Sequence, residues 1–233
     1  MKKEASGYML KEYGSWSILI IAWLIGTAVS RSFNWTALPL LFSLALLINS
    51  KQAAVKWLRS PSAITPFAVF AGHIVLAAAI LLGLFGSGIF MLLPLLVIPA
   101  AYLASIKLAG EHSLLTETLG FILLSLAAVL AKFLLTGGLD VRLFLGVAFY
   151  FTAGVLKVKV LLLRKTRDRI FIVVHAVCAV YVYHRMHIPI VILLPLLDNL
   201  LVAIYPYKVR LKTTGWIEVA KSLAVLALFI RYY

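Results

Sequence analysis

What most limits the folds open to this chain is a repeated pattern: long apolar runs, each closed by a short gap carrying Lys, Arg, Pro or Gly. Nine runs can be read: Ser15–Ser30, Asn34–Asn49, Ala63–Phe85, Ser87–Ile106, Ser113–Thr136, Val141–Leu163, Ile170–His184, Ile188–Tyr205 and Gly215–Tyr232. A bilayer-crossing helix needs about 20 mostly apolar residues, with about 17 tolerated. Lipid admits only segments that satisfy their own backbone polar groups, so runs of this length read as membrane helices. The first, second and seventh are short, and eight crossings with one re-entrant segment is the alternative count. No gap is long enough to fold by itself. Residues 1–233 therefore read as a single all-α polytopic transmembrane helix bundle of about nine spans, with a short lead-in at 1–14.

Composition agrees. The chain is 64% hydrophobic and 13% charged, with a mean hydropathy of +1.06. A soluble domain that apolar has too little polar surface to cover itself. The net charge of +14 raises the possibility of a nucleic-acid partner, but the basic residues are scattered through the gaps. That placement orients a membrane protein and excludes a nucleic-acid surface. With the N-terminus in the cytoplasm, sixteen basic residues fall on the cytoplasmic side: Lys2, Lys3, Lys11, Lys51, Lys56, Arg59, Lys107, Lys157, Lys159, Arg164, Lys165, Arg167, Arg169, Lys208, Arg210 and Lys212. Four, Arg31, Arg142, Arg185 and Arg231, fall outside, and Lys132 and Lys221 lie within spans. The asymmetry predicts nine crossings, the N-terminus inside and the C-terminus outside.

The opening run ends on Ala28-Val29-Ser30, which resembles a signal-peptide cleavage site. However, Glu4 and Glu12 precede the run and further membrane helices follow it, so it reads as a retained first helix. The single cysteine, Cys178, excludes an intrachain disulfide and reads as a buried, inert thiol. Pro39, Pro94, Pro99 and Pro195 are expected to interrupt the second, fourth and eighth runs. Ala68 with Gly72, and Ala100 with Ala104, have the small-xxx-small spacing that lets helices approach closely.

Ionisable groups inside spans are expensive and so are the default functional candidates. Counted at about 1.5 Å per residue, Lys157 and Lys159 fall near the cytoplasmic end of the sixth run. His175 lies inside the seventh and Asp198 deeper in the eighth. Glu117 and Glu218 lie about one turn into the fifth and ninth, and Glu12 just before the first. All fall in one half of the membrane, which predicts a polar cavity open to the cytoplasm. Its candidate acids and bases are Glu12, Glu117, His175, Asp198 and Glu218, with Lys157, Lys159 and Arg164 as candidate anion-binding residues. Simpler roles stand beside these. Ser113 can cap a helix whose first turn holds Glu117. Glu218 can do the same after Thr214-Gly215 and pair with Lys221. Lys157 and Lys159 can snorkel to headgroups, and His175 can be a packing histidine. Asp198 needs a partner, His175 or a lysine. His73 is a second deep candidate, with a Tyr or a backbone carbonyl as partner. The basic run Arg164–Arg169 is either a topology signal against anionic lipid or a clamp for a phosphate or carboxylate.

There is no phosphate loop, no HExxH and no Gly-x-Ser-x-Gly, and the residues point to no metal site. UbiA-type prenyltransferases also use about nine helices, but they hold magnesium diphosphate on two Asp-rich loops. The corresponding loops here, Asn49–Pro61 and Lys157–Arg169, contain only Asp168. Cofactors are otherwise undetermined.

Lys11-Glu12-Tyr13-Gly14-Ser15-Trp16 resembles the Arg-Glu-His-Gly-Ala-Trp opening of YwiC-like membrane proteins. Glu111-His112-Ser113-Leu114-Leu115-Thr116-Glu117 is similar to that family's charged Ser-Leu-Leu-Asn/Thr-Glu segment. The basic end of the sixth run, His175 and Gly215-Trp216-Ile217-Glu218 follow in order. Tyr13 replaces the family's histidine. The resemblance implies a bacterial, multi-pass cytoplasmic-membrane protein and brings no established reaction with it. The function these residues favour is binding or processing of an amphipathic anionic molecule, lipid or isoprenoid-like, in the cytoplasm-facing cavity; the alternatives are proton-coupled small-molecule transport through Asp198 and His175, and service as an accessory subunit of a membrane complex.

Overall fold

The computed structural model describes residues 12–60, 62–205 and 211–233, the side chains of Leu211 and Lys212 excepted. Lys2, Lys3, Glu4, Lys11, Lys208 and Arg210 lie outside the described residues. Among the described residues there is helix and no strand: α1 (Tyr13–Val29), α2 (Ala37–Arg59), α3 (Ile64–Phe85), a 3-10 segment (Gly86–Leu96), α4 (Val97–Ala109), α5 (Leu114–Thr136), α6 (Val141–Leu163), α7 (Thr166–Arg185), a second 3-10 segment (Ile190–Leu196), α8 (Leu197–Ile204) and α9 (Leu211–Tyr232). Among the described residues five stretches are long and apolar enough to cross a membrane: Ala37–Arg59, Ile64–Ala109, Leu114–Thr136, Val141–Leu163 and Thr213–Tyr232. Tyr13–Val29 and Ile190–Ile204 are shorter apolar helices. This is the architecture of a multi-pass membrane protein.

Several helix ends depart from the sequence reading. The second run was expected to stop at Asn49, but α2 continues to Arg59 and carries Lys51, Lys56 and Arg59 on its last turns. Basic side chains are favoured at a helix C-terminus by the backbone dipole, so a charge there does not end a helix. Pro39 does not interrupt α2, because it sits in the first turn, where its missing N–H has no intrahelical partner to lose. Pro94 and Pro195 do act as expected, each lying inside a 3-10 segment that precedes an α-helix. At Gly86, φ is 52° and ψ is −130°, a conformation that side-chain-bearing residues rarely adopt. The long Ile64–Ala109 stretch is broken at that point.

Contacts show how neighbouring helices run. Ser43 donates to Ala77 O at 3.0 Å, and Asn49 Nδ2 lies 3.2 Å from His73 Nε2, so α2 and α3 are antiparallel. Phe85 stacks on Phe133 at 5.5 Å between centroids, at the far end of α5. Tyr102 packs on Gly120 nearer its start. Trp23 Nε1 donates to Ala37 O at 3.1 Å, joining the end of α1 to the start of α2.

The core is built from α1, α5 and α6, closed by parts of α2, α7, the second 3-10 segment and α9. Gly26 of α1 meets the α5 backbone so closely that an added Cβ would lie 2.0 Å from Ala128 O. Ala22, Gly26, Ala127, Ala128 and Ala131 therefore form the small-residue contact in this bundle. The pairs expected to do this, Ala68/Gly72 and Ala100/Ala104, lie on outward faces. Cys178 is exposed as well, contrary to its reading as a buried thiol. α7 turns Asp168, Ile172, Ala179 and Tyr183 inward, and position 178 lies off that stripe.

Candidate functional site

Six of the eight candidates, Glu12, Glu117, Lys157, Lys159, Asp198 and Glu218, fall into three ion-pair groups. In the first, Lys51 of α2 donates to Glu12 at 2.7 Å and lies 3.6 Å from Glu111. Arg59 reaches the other Glu111 oxygen at 3.1 Å. Ser15 also donates to Glu12, at 2.9 Å. Partial burial alone would raise the Glu12 carboxyl, but Lys51 and Ser15 outweigh it and hold the group below its ordinary value. The two motif segments around Glu12 and Glu111 thus meet at Lys51. In the second group, Lys159 pairs with Glu117 at 2.9 Å and donates to His112 O at 3.0 Å. Ser113 caps α5 by accepting the Thr116 N–H.

The third group lies deepest. Lys157 of α6, fully buried, donates to Asp198 of α8 and, at 2.6 Å, to Glu218 of α9. Lys221, one turn along from Glu218, reaches the same two oxygens, Asp198 Oδ2 at 3.2 Å and Glu218 Oε1 at 3.1 Å. Four alternating charges close a square that is neutral among the described residues. Local structure explains the placement. Pro195 ends the 3-10 segment, so α8 starts at Leu197 and sets Asp198 in its first turn, where the dipole favours an anion. Glu218 and Lys221 share a face of α9 at i,i+3 spacing. Asn199 ties the square to α6, donating to Ala153 O at 3.0 Å and accepting from Lys221 at 2.5 Å.

Glu218 was expected one turn into its helix, in capping reach. α9 begins at Leu211, which places it deeper. Lys157 was counted among the charges of a cytoplasmic gap and is instead an interior residue. Its side chain and that of Lys159 take different partners, and each is already matched by carboxylates. Arg164, exposed at the left-handed C-cap of α6, has no ion pair among the described residues. The three proposed anion-binding residues are not brought together.

His175 lies beside the square rather than in it. Thr152 Oγ1 lies 2.8 Å from Ala148 O and 2.9 Å from His175 Nε2, which ties the imidazole to α6. The imidazole and Asn199 line a small cavity of about 10 Å³ with Ala153, Leu156, Ile172 and Leu196. A space of this size holds about one water. His73 donates to Val69 O at 2.8 Å and accepts from Asn49, which locks α3 to α2. Among the described residues no three His, Cys, Asp or Glu side chains converge as metal ligands.

The family model for YwiC-like proteins matches residues 9–132, just over half of the chain. The chain belongs to the YwiC-like family. Comparison with curated proteins and with solved structures gives no match. The matched region contains the Glu12–Lys51–Glu111 group, while the square of Lys157, Asp198, Glu218 and Lys221 lies beyond it. Sequence reasoning singled out Asp198, Glu218 and Lys157 and missed Asn199. Its adjacency to Asp198 in a short apolar run was the available signal.

Proposed function

We propose that the chain crosses the bacterial cytoplasmic membrane nine times, N-terminus inside and C-terminus outside, and works as a carrier that couples movement of a small molecule to a proton. The observation that carries this is the square of Lys157, Asp198, Glu218 and Lys221 inside the bundle, next to a helix broken by Pro195. Charges in such places mark ion and proton pathways, and discontinuous helices commonly build carrier sites. The lysines are the inner members of the square. Lys157 is 0% and Lys221 10% exposed, whereas Asp198 is 30% and Glu218 27%. The accessible side therefore presents carboxylates, which suits a proton and disfavours an anion.

Support for nine crossings comes from the antiparallel run of α2 and α3, from the break of Ile64–Ala109 at Gly86 and from the reach of the shorter helices. The 17-residue α1 spans about 25 Å. A 3-10 turn advances about 2.0 Å per residue, so Ile190–Ile204 covers about 26 Å despite its brevity. A second reading, capture of an amphipathic anion, draws support from the exposed basic residues Arg164, Lys165 and Arg167, outside the three ion-pair groups.

The test uses purified protein in liposomes containing a pH-sensitive dye. A small-molecule ultrafiltrate of bacterial cytosol is expected to evoke protein-dependent proton movement, which Asp198→Asn abolishes. Absence of movement with the wild-type protein, or equal movement with the variant, would overturn the proposal.

A further inference from the structure

We propose that the square exchanges the Lys221 proton for one small monovalent cation, with Lys221 as the removable member and Lys157 as the fixed one. This rests on the carrier reading and names the ion that its site takes.

The two lysines are held differently. Lys157 is sealed, with one strong contact to each acid. Lys221 makes longer contacts to the same two oxygens, and its third contact is the amide oxygen of Asn199. Its ammonium group thus occupies the centre of three oxygens, Asp198 Oδ2, Glu218 Oε1 and Asn199 Oδ1. Carboxylate and amide oxygens are the ligands that hard cations take. When Lys221 releases a proton to water its side chain becomes a neutral amine, and the two carboxylates then exceed Lys157 by one negative charge. One monovalent cation restores neutrality. A divalent cation would leave a net positive charge in the bundle interior, which is expensive there.

Around the square the described residues bring the following titratable and polar groups. α6 contributes Lys157 and Tyr150, the latter close enough to feel both acids. α8 contributes Asp198 and Asn199, and α9 contributes Glu218 and Ser222, whose hydroxyl is bonded to Glu218 O at 2.8 Å. Neither α1 nor the second 3-10 segment, both packed on α9, contains a charged residue. His175 of α7 stands across the small cavity from Asn199.

The experiment applies sodium or potassium pulses to proteoliposomes and follows internal pH and membrane potential together. The wild-type protein is expected to move protons against the added cation without generating a potential. With Lys221→Gln, cation uptake is expected to continue, to become insensitive to pH and to generate a potential. Lys221→Arg keeps the square but holds its proton throughout, so it is expected to lower the exchange by about tenfold or more. The arginine variant also decides the matter where the glutamine variant does not fold. Proton movement with cytosolic ultrafiltrate but with neither sodium nor potassium would overturn the cation proposal and leave the carrier reading standing. Silence with all three would remove both. Exchange by Lys221→Arg at the wild-type rate would also overturn the proposal.

Discussion

Gly26 and Gly72 show how two similar positions can differ once packing is known. Each lies four residues after an alanine, the spacing that permits close helix approach, yet only Gly26 is pressed against another backbone. Gly26→Ala is expected to destabilise the bundle by about 1–3 kcal/mol through overpacking. Gly72→Ala, with nothing within 4 Å of the added carbon, is expected to be neutral or to gain up to about 1 kcal/mol from helix propensity. Melting temperatures in detergent compare the two. Asp140 carries a pH dependence. It caps α6 through the Leu143 N–H, pairs with Lys132 at 2.6 Å and accepts from Tyr233 at 2.8 Å. Burial pushes its carboxyl up, but these partners outweigh burial and hold it below the ordinary value. Its stabilisation is therefore complete above the unfolded pKa, about 3.9, and is lost as pH falls through the depressed folded value. Asp140→Asn keeps the cap and drops the charge. It is expected to cost about 1–2 kcal/mol near neutral pH and to flatten the decline of melting temperature in acid.

Among the elements, helix identity was legible from apolar run length alone, and helix ends were less so. α2 runs on through Lys51, Lys56 and Arg59, and α7 starts at Thr166 rather than Ile170. In α2 the basic residues sit at the C-terminus, where the dipole favours them; in α7 it is Asp168 of the first turn that the dipole favours, with Arg167 and Arg169 carried beside it. Facing was the weaker part. The stretch with the highest apolar content, Ile64–Ala109, buries only 6% of its most apolar window, whereas Val141–Leu163 buries 61%. In lipid an outward face is as apolar as an inward one, so hydrophobicity stops telling the two apart. Cys178 was misread for this reason. With α7 as one of the nine proposed crossings, its exposed thiol is expected to resist a water-soluble maleimide in intact membranes and to react once the protein is denatured in detergent. Labelling in intact membranes would place that face of α7 against water.

At the scale of the molecule, the sequence shows a polytopic helical membrane protein and the charges inside it, but not how those charges pair. Lys157 is 41 residues from Asp198 and 61 from Glu218. No local pattern links them, and only the packing of α6, α8 and α9 closes the square. Breaking a buried ion pair on one side leaves an uncompensated charge and costs about 3–5 kcal/mol, so single substitutions confuse structural and functional roles. Asp198→Asn combined with Lys221→Gln removes one charge of each sign and leaves Lys157 with Glu218, a pair separated by 2.6 Å. The most direct measurement is proton movement evoked by cytosolic ultrafiltrate in liposomes bearing this double variant, with its melting temperature recorded alongside. A folded protein, melting within a few degrees of wild type and silent for proton movement, is the expected result. A folded double variant that moves protons as the wild type does would contradict the assignment of the square as the functional centre.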